Sequence, residues 1–576
     1  MNKKQILKKY WFIIAIILLA IIKQLLISNI PITPYPNQLC DDDMMVEMAK
    51  SIRAGKWLGN YTSNTLVKGP VFPIILAIIN YFGFSYIGTM NLIYTIACIY
   101  FIYTIKDVLK SKKALIFLYL ILLFNPVSYA WWTLQRVYRN GITLAQVLII
   151  IGSLFAMYRR RDEKAKKMLP FSIIGGIILA TLWLTREDGI WILPFTMAVI
   201  VLTIVLIIIK AKKEKTNIKE IGAKVFIAIL PLIILVVSLN TIRFINQKYY
   251  GVFVYNEIND GYFGKVIKTI YSVKTDEDIK YVTATRKKMN LLYENSETLN
   301  SIKDEMEKAL NLWDLSDRNP KDTQVEDGWF WWALKDAAEN AGMYENAEKA
   351  NEFYKKVYEE INQAIKEGKL EKQSTMPSNL MSPWKAEYFK ELPEAMSEIT
   401  KYVINYNDVQ TVNYAVDIPD DQKGSTKFEA ITNNLAVTKS KNNEIDNVSK
   451  YTEKYVKRVN TIGNIYKATG SIFAIFGIIC YIVITIRMLK SKQKNGIIDM
   501  WLLLTGVACS LIVLIGGVSY NHITSCFSMY YMYLSGAYPL INIFFIGSIS
   551  YAFQKKRRSK DKIIKGKEIM QWKQQY

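Results

Sequence analysis

"GPVFPIILAIINYFGFSYIGTMNLIYTIACIYFIYTI", running from Gly69 to Ile105, carries no charged side chain. A bilayer needs about 20 predominantly apolar residues for each helical crossing, and water-exposed protein rarely sustains such a run. Comparable runs begin at Trp11 and recur to near residue 553. The whole chain of 576 residues is 51% apolar, yet its formal charge is +23. A nucleic-acid binder would explain the charge but not the runs. The basic residues cluster at Lys3, Lys4, Lys8 and Lys9, then at 106–113, 159–167, 210–219, 487–494 and 555–573, each cluster beside an apolar run. That is the charge pattern of cytoplasmic loops. The chain reads as a polytopic α-helical membrane protein, and no nucleic-acid partner is expected.

With Trp11 to Ile22 taken as a retained first span, the flanking charges place about ten spans, near 11–28, 85–105, 114–130, 141–158, 169–185, 190–209, 221–242, 467–487, 497–518 and 531–553. Both termini fall in the cytoplasm, and a bacterial plasma membrane is the expected site. The predicted organisation is an N-terminal membrane module of about seven spans (1–242), an extracytoplasmic domain (243–466), a C-terminal membrane module (467–553) and a basic tail (554–576). Between the outer loop at 29–68 and the next span, Pro70, Pro73 and Gly83 mark 70–84 as a surface-lying or re-entrant segment. The insert at 243–466 is polar, and apolar residues at three- and four-residue spacing from Asp276 to Leu312 and from Trp332 to Ile365 predict a mainly helical fold. Cys40 and Cys526 fall on the outer side, where a disulfide between them is one open reading.

Candidate chemistry gathers on the outer loops. Asp41, Asp42 and Asp43 are adjacent, with Glu47 one turn on. Carboxylates this close need a cation, a basic partner or a raised pKa to coexist. The plain alternative is a solvated charge run capping the next helix. Lys68 follows in the same loop, then Arg136 and Arg139 in "WWTLQRVYRNG" and Arg186, Glu187 and Asp188 in "WLTREDGIW". These cations run against the positive-inside bias, and ionisable groups at span ends tend to mark a substrate path. Together they describe a site for an anionic, membrane-held substrate. Cations would bind a phosphate, and a carboxylate would deprotonate a hydroxyl or hold a divalent metal. Arg243 and the single histidine, His522, are weaker candidates for the same phosphate. Trp131, Trp132, Trp183 and Trp191 read as an interfacial belt, with sugar platforms as the alternative. Trp329, Phe330, Trp331 and Trp332 are either insert core or an acceptor surface.

"DDDMMVEMAKSIRAGKW" (Asp41 to Trp57) followed by "LVKGPVFPIILAIINYFGF" (Leu66 to Phe84) resembles the GT-C class of membrane glycosyltransferases, which includes protein O-mannosyltransferases, aminoarabinose transferases and bacterial family 39-like enzymes. The class orders an acidic pair, a small-residue helix, then a Lys- or His-Pro-Pro element before an apolar segment. Asp41 and Asp42 match the pair, and Lys68, Gly69 and Pro70 match the element. The second outer loop, Trp131 to Asn140, lacks the acid that several members place there, and Gly69 replaces the first proline. The helical patterning of the insert also differs from the all-β luminal domain of the O-mannosyltransferases.

The resemblance implies a GT-C-like bundle and transfer of a sugar from a polyprenyl-phosphate donor, with inversion, to an extracytoplasmic glycan, lipid or protein acceptor. It implies Asp41 as general base beside Asp42. Asp43, Glu47, Glu187 and Asp188 would support it or hold Mg or Mn, and a metal-free reaction is equally open. Lys68, Arg136, Arg139, Arg186 and Arg243, with His522 as a further contact, would face the donor phosphate. The competing readings are a polymerase or ligase of lipid-linked glycans, a lipid or polysaccharide transporter, and a non-enzymatic envelope assembly protein.

Overall fold

The computed structural model describes residues 3–34, 41–214, 217–314, 324–373, 382–414, 422–437, 450–491, 496–525 and 532–554. Cys40 and Cys526 lie outside them. The described chain is helical, with only isolated bridges such as Ile32 to Ala436 in place of a sheet. Among the described residues, eight helices are long and apolar enough to cross a membrane: Lys9–Ile27, Tyr86–Ile105, Asn140–Arg159, Ala165–Trp183, Gly189–Glu214, Ile218–Tyr250, Lys450–Lys490 and Ile497–Ser525. Their outward faces are apolar, with Ile17, Leu18, Val201, Val236, Ile475 and Ile512 all exposed. Such faces suit hydrocarbon, because the helix already satisfies its own backbone groups. This is a polytopic helical membrane protein.

Two of the ten expected spans are shorter. The run at 114–130 forms a helix only over Lys112–Leu123. Asn125 then accepts the Val127 amide, and Pro126–Tyr129 makes a 3₁₀ turn. Twelve residues reach about 18 Å, against a hydrocarbon core of about 30 Å. The broken end is held by Lys23 of the first span, which is fully buried and donates to the Leu123 carbonyl at 2.9 Å and the Ser128 hydroxyl at 2.8 Å. A cation at a helix C-terminus satisfies the carbonyls left without intrahelical partners. Ala537–Ala552, from the run at 531–553, has 16 residues and is buried among other helices over nearly its whole length. The segment at 70–84 holds an 11-residue helix, Val71–Tyr81, which turns at Gly83 into the next span.

The insert divides into two parts. From Tyr262 to Leu370, helices enclose a core of their own that includes Ile267, Ile270, Met289, Leu292, Phe330, Leu334, Tyr354 and Ile361. The helix Ala347–Lys366 buries Ala350, Phe353, Tyr354, Val357, Ile361 and Ala364, the three-and-four spacing of a one-faced helix. The later part returns to the membrane bundle. Ile399, Tyr402 and Val403 of the helix Tyr388–Ile404 belong to the bundle core, and Val412 exchanges two hydrogen bonds with Gln135. Gln422–Thr432 then packs on Asp41–Arg53 and Val71–Tyr81.

The belt reading of the tryptophans fails for three of the four. Trp131, Trp132 and Trp191 are buried in the bundle core, and the Trp132 indole donates to the Asp408 carbonyl at 3.2 Å. The π-helical turn Trp131–Gln135 folds inward beneath the return segment, so its rings face protein.

Close helix approach in the bundle depends on missing side chains. A Cβ on Gly176 would stand 2.8 Å from Pro231 Cα, where Ala165–Trp183 crosses Ile218–Tyr250. Gly222, on the same long helix, has open space around it. Gly176→Leu should therefore lower stability by about 1–3 kcal/mol or more through overpacking, whereas Gly222→Ala should be neutral or slightly stabilising. Thermal unfolding of the detergent-solubilised variants checks this contrast.

Candidate active site

The acidic triplet opens the helix Asp41–Arg53. Carboxylates are favoured there by the free amides and the positive end of the helix dipole. Successive residues rotate by about 100° around a helix, so the three side chains leave in three directions and each meets a different cation. Asp41 lies 3.2 Å from Lys68 and 3.9 Å from Arg139, and accepts a 2.7 Å hydrogen bond from the Tyr138 hydroxyl. Asp42 is wholly buried and is forked by Arg136 at 2.8 and 3.0 Å. Asp43 is in close contact with Lys427. Glu47, further along and exposed, pairs with Lys50 at 3.1 Å.

The two short loops complete the ring. Arg139 donates to the Tyr138 hydroxyl at 2.9 Å and to the Thr185 carbonyl at 3.1 Å, and is in close contact with Glu187. Glu187 also accepts the Gly69 amide at 3.3 Å, which returns the network to the residue after Lys68. Arg186 forks Asp188 at 2.7 and 2.8 Å and touches Asn140. The guanidinium groups of Arg136 and Arg139 lie 4.9 and 5.2 Å from the Tyr138 ring centre. Four carboxylates and four cations thus pair off in a mostly buried cluster. Its charges balance.

Burial opposes ionisation of Asp41, but the Lys68 and Arg139 charges and the Tyr138 hydroxyl outweigh it and hold the carboxyl well below the usual carboxylate range. Desolvation likewise opposes ionisation of the partly buried Asp188, yet Arg186 holds it below its ordinary value. Desolvation pushes Asp43 the other way, upward, against the pull of Lys427.

Gly69 has a steric reason. A Cβ there would lie 1.9 Å from the Leu184 carbonyl oxygen, so the backbones of the first loop and the 184–188 loop touch directly. A proline at this position would add the same carbon and remove the amide that Glu187 accepts.

Not every expected residue joins the cluster. Arg243 forks Asp260 at 2.7 and 2.8 Å, and Asp260 also takes the Tyr255 amide. Its guanidinium thus fixes the chain leaving the long helix and makes no hydrogen bond or ion pair with the described residues of the cluster. His522 occupies the last turn of Ile497–Ser525, close in sequence to Tyr520, which stacks on Trp384. Among the described residues no three His, Cys, Asp or Glu side chains come together to hold a metal. Asp41, Asp42, Asp43, Glu187 and Asp188 each face a protein cation.

Tyr138 and Lys335 have little signal in the sequence, and neither does the approach of Trp331 and Trp332 to Lys68. Tyr138 stands between two arginines, a placement that hints at stacking but not at its bond to Asp41. Trp331 and Trp332 of the insert helix Asp327–Asn340 lie 5.6 and 5.9 Å from the Lys68 ammonium, so the insert roofs the first loop. That roof is pinned by Lys335, fully buried on the same helix. Lys335 is in close contact with Glu257 and donates to Tyr344 at 2.7 Å, while Tyr61 of the first loop donates to Glu257 at 2.8 Å.

No protein-family profile matches the chain, and no curated protein matches it. Among solved structures, the archaeal oligosaccharyltransferase AglB from Archaeoglobus fulgidus, in complex with an inhibitory peptide and a dolichol-phosphate, aligns at 12% identity over 79% of this chain and 69% of that one, with a TM-score of 0.27. A second structure of the Archaeoglobus fulgidus oligosaccharyltransferase, tethered with an acceptor peptide containing the NVT sequon, gives 11%, 79%, 68% and 0.26. Scores this low do not establish a shared function.

The pairing of Asp42 with Arg136 makes a stability prediction. Asp42→Asn leaves the buried Arg136 without this carboxylate and should cost about 3–5 kcal/mol, whereas Asp42→Asn combined with Arg136→Met should recover much of the loss. Gly69→Ala should likewise be destabilising and displace Lys68. Melting temperatures of the purified variants decide both.

Proposed function

We propose that this chain is a GT-C-like membrane glycosyltransferase that moves a sugar from a polyprenyl-phosphate donor to an acceptor hydroxyl. The insert-bearing end of the bundle would face outward from the plasma membrane, with both termini in the cytoplasm. The observation that carries the reading is the partly buried Asp41 carboxylate held jointly by Lys68 and Arg139, beneath a roof contributed by the insert.

In this reading, Asp41 is a weak base while both cations neutralise it. A donor phosphate arriving in the cluster draws Lys68 and Arg139 toward itself, and the Asp41 carboxyl regains affinity for a proton. The acceptor oxygen then forms a bond to the anomeric carbon on the face opposite the phosphate, and its proton passes to Asp41. The bond from the anomeric carbon to the phosphate oxygen breaks, and its electron pair leaves with the lipid phosphate. Asp41 becomes neutral as the phosphate gains a second negative charge, so Lys68 and Arg139 pass from the one to the other. The cluster keeps its charge balance through the step. Cations set in a water-poor site stabilise charge that develops late in the reaction far better than solvent does. Arg136 and Arg186, bound to Asp42 and Asp188, hold the loops in place and contribute positive potential from behind. No step is routed through a metal.

Release of free polyprenyl phosphate from a polyprenyl-phosphate hexose by the purified protein tests the reading. Asp41→Asn should lower turnover by roughly 10²–10⁴-fold, and Lys68→Met by roughly 10²–10³-fold, with folding retained. Failure of folded wild-type protein to release lipid phosphate from any of several hexose donors would sink the proposal.

The pH profile gives a second, independent expectation. The depressed Asp41 carboxyl stays ionised in the free protein, so the ion cluster is intact at neutral pH and is lost only as pH falls through that low value. The acid limb of kcat/KM, which reports the free enzyme, should accordingly lie below the usual carboxylate range. The limb of kcat reports the donor complex and should lie at higher pH. Coincident limbs would show that donor binding does not draw the cations from Asp41.

A further inference from the structure

The helix Lys450–Lys490 is longer than a crossing needs. Its 41 residues reach about 61 Å, against about 40–45 Å for a bilayer with its headgroups. Lys467 and Arg487 stand 20 positions apart, about 30 Å along the axis, and no charged residue lies between them. That distance is the thickness of the hydrocarbon core. The residues before Lys467 therefore rise above the core on the insert-bearing side.

This projecting part has two unlike faces. Val456, Val459 and Gly463 are buried, and Val459 shares a core with Met45 and Val46 of the helix Asp41–Arg53. Lys450, Lys454, Lys457 and Arg458 are all exposed. At about 100° per residue these four fall within an arc of about 100°, opposite the buried face. Glu453 is the one acid between 450 and 467. Among the described residues none of the four cations is in an ion pair, and Arg458 only faces the Tyr455 ring, 5.5 Å from its centre.

A merely solvated face is the plain alternative. Elsewhere on the insert, however, exposed lysines have been given acids: Lys274 meets Glu371, Lys287 meets Asp276 and Lys308 meets Glu305. Like charges three and four positions apart repel along a helix. On a side read as outward, the charge bias of membrane proteins also runs against them. A flat bilayer does not supply the missing anions to the whole row. Lys454 and Lys450 stand 13 and 17 positions above Lys467, about 20 and 26 Å. The headgroup layer is about 5–8 Å deep on each side, and its potential is screened within about 8 Å more. An anion that meets all four cations must instead extend along the helix. Their successive rises of about 6, 4.5 and 1.5 Å suit a chain with closely repeated charges.

We infer that Lys450, Lys454, Lys457 and Arg458 form a binding stripe for a linear polyanion outside the bilayer. This goes beyond the glycosyltransferase reading, shares only its orientation, and is tested without turnover.

The probe is long-chain inorganic polyphosphate, titrated against the full-length protein in nanodiscs at several salt concentrations. One variant combines Lys454→Gln, Lys457→Gln and Arg458→Gln. A control combines Lys356→Gln, Lys366→Gln and Lys390→Gln, exposed positions elsewhere on the insert. Both are matched to wild type in melting temperature. The stripe variant should bind polyphosphate at least tenfold more weakly, with the salt slope reduced by about two to three. The control should stay within twofold of wild type, in zwitterionic and in phosphatidylglycerol nanodiscs alike. Equal losses in the two variants would show diffuse charge attraction and overturn the stripe, as would an absence of polyphosphate binding. Binding that is present in zwitterionic nanodiscs but abolished by phosphatidylglycerol would assign the cations to lipid headgroups and equally overturn it. Because no donor is used, the stripe stands or falls separately from Asp41-dependent release of lipid phosphate.

Discussion

Keeping eight charges paired in a buried place at one end of a membrane bundle is the constraint around which this structure is arranged. Asp41, Asp42, Glu187 and Asp188 face Lys68, Arg136, Arg139 and Arg186. A single unmatched ion in such a setting would cost several kcal/mol, so every segment that supplies a member must be held in register with the others. That explains why the first loop and the 184–188 loop touch through bare backbone at Gly69, and why the 131–140 segment is folded inward. A cluster so closely balanced is also sensitive to any anion that enters it. Added negative charge is accommodated only by a carboxylate giving up its cation or taking up a proton, and Asp41, shared between two cations, is the member placed to do both.

The insert is part of this arrangement. Its own core gives it a rigid body, and the Lys335, Glu257 and Tyr61 contacts clamp that body onto the first loop. Its returning segment is pressed into the bundle through Ile399, Val403 and Val412, and Lys427 takes the third carboxylate of the triplet. One domain thus covers the cluster from two sides, which removes water from around the charges and strengthens their mutual attraction.

The sequence carried the membrane class and the position of most spans, because hydrocarbon imposes a length and a polarity on each crossing that no other environment does. It also carried the chemical inventory, since acids and bases on loops that should favour neither are visible without a structure. An apolar run does not reveal that Asn125 and Pro126 break a helix early, nor that Ala537–Ala552 is wrapped in protein. Lys23 was invisible inside an apolar run, since a lone lysine there looks like a flaw until the helix end it serves is seen. The pairing of Arg243 with Asp260 was not legible either, because proximity to a span end says nothing of whether a local aspartate holds the guanidinium.

The sequence by itself determined what kind of solvent this chain lives in and which side chains are present to act, because those follow from composition and local periodicity. Only the tertiary structure decided which carboxylate meets which cation. Three consecutive aspartates are equivalent as letters, but the helix turns each in a different direction, toward Lys68 and Arg139, toward Arg136, and toward Lys427. Those partners come from loops far apart in the chain, and the interaction that joins them depends on distance and dielectric in space.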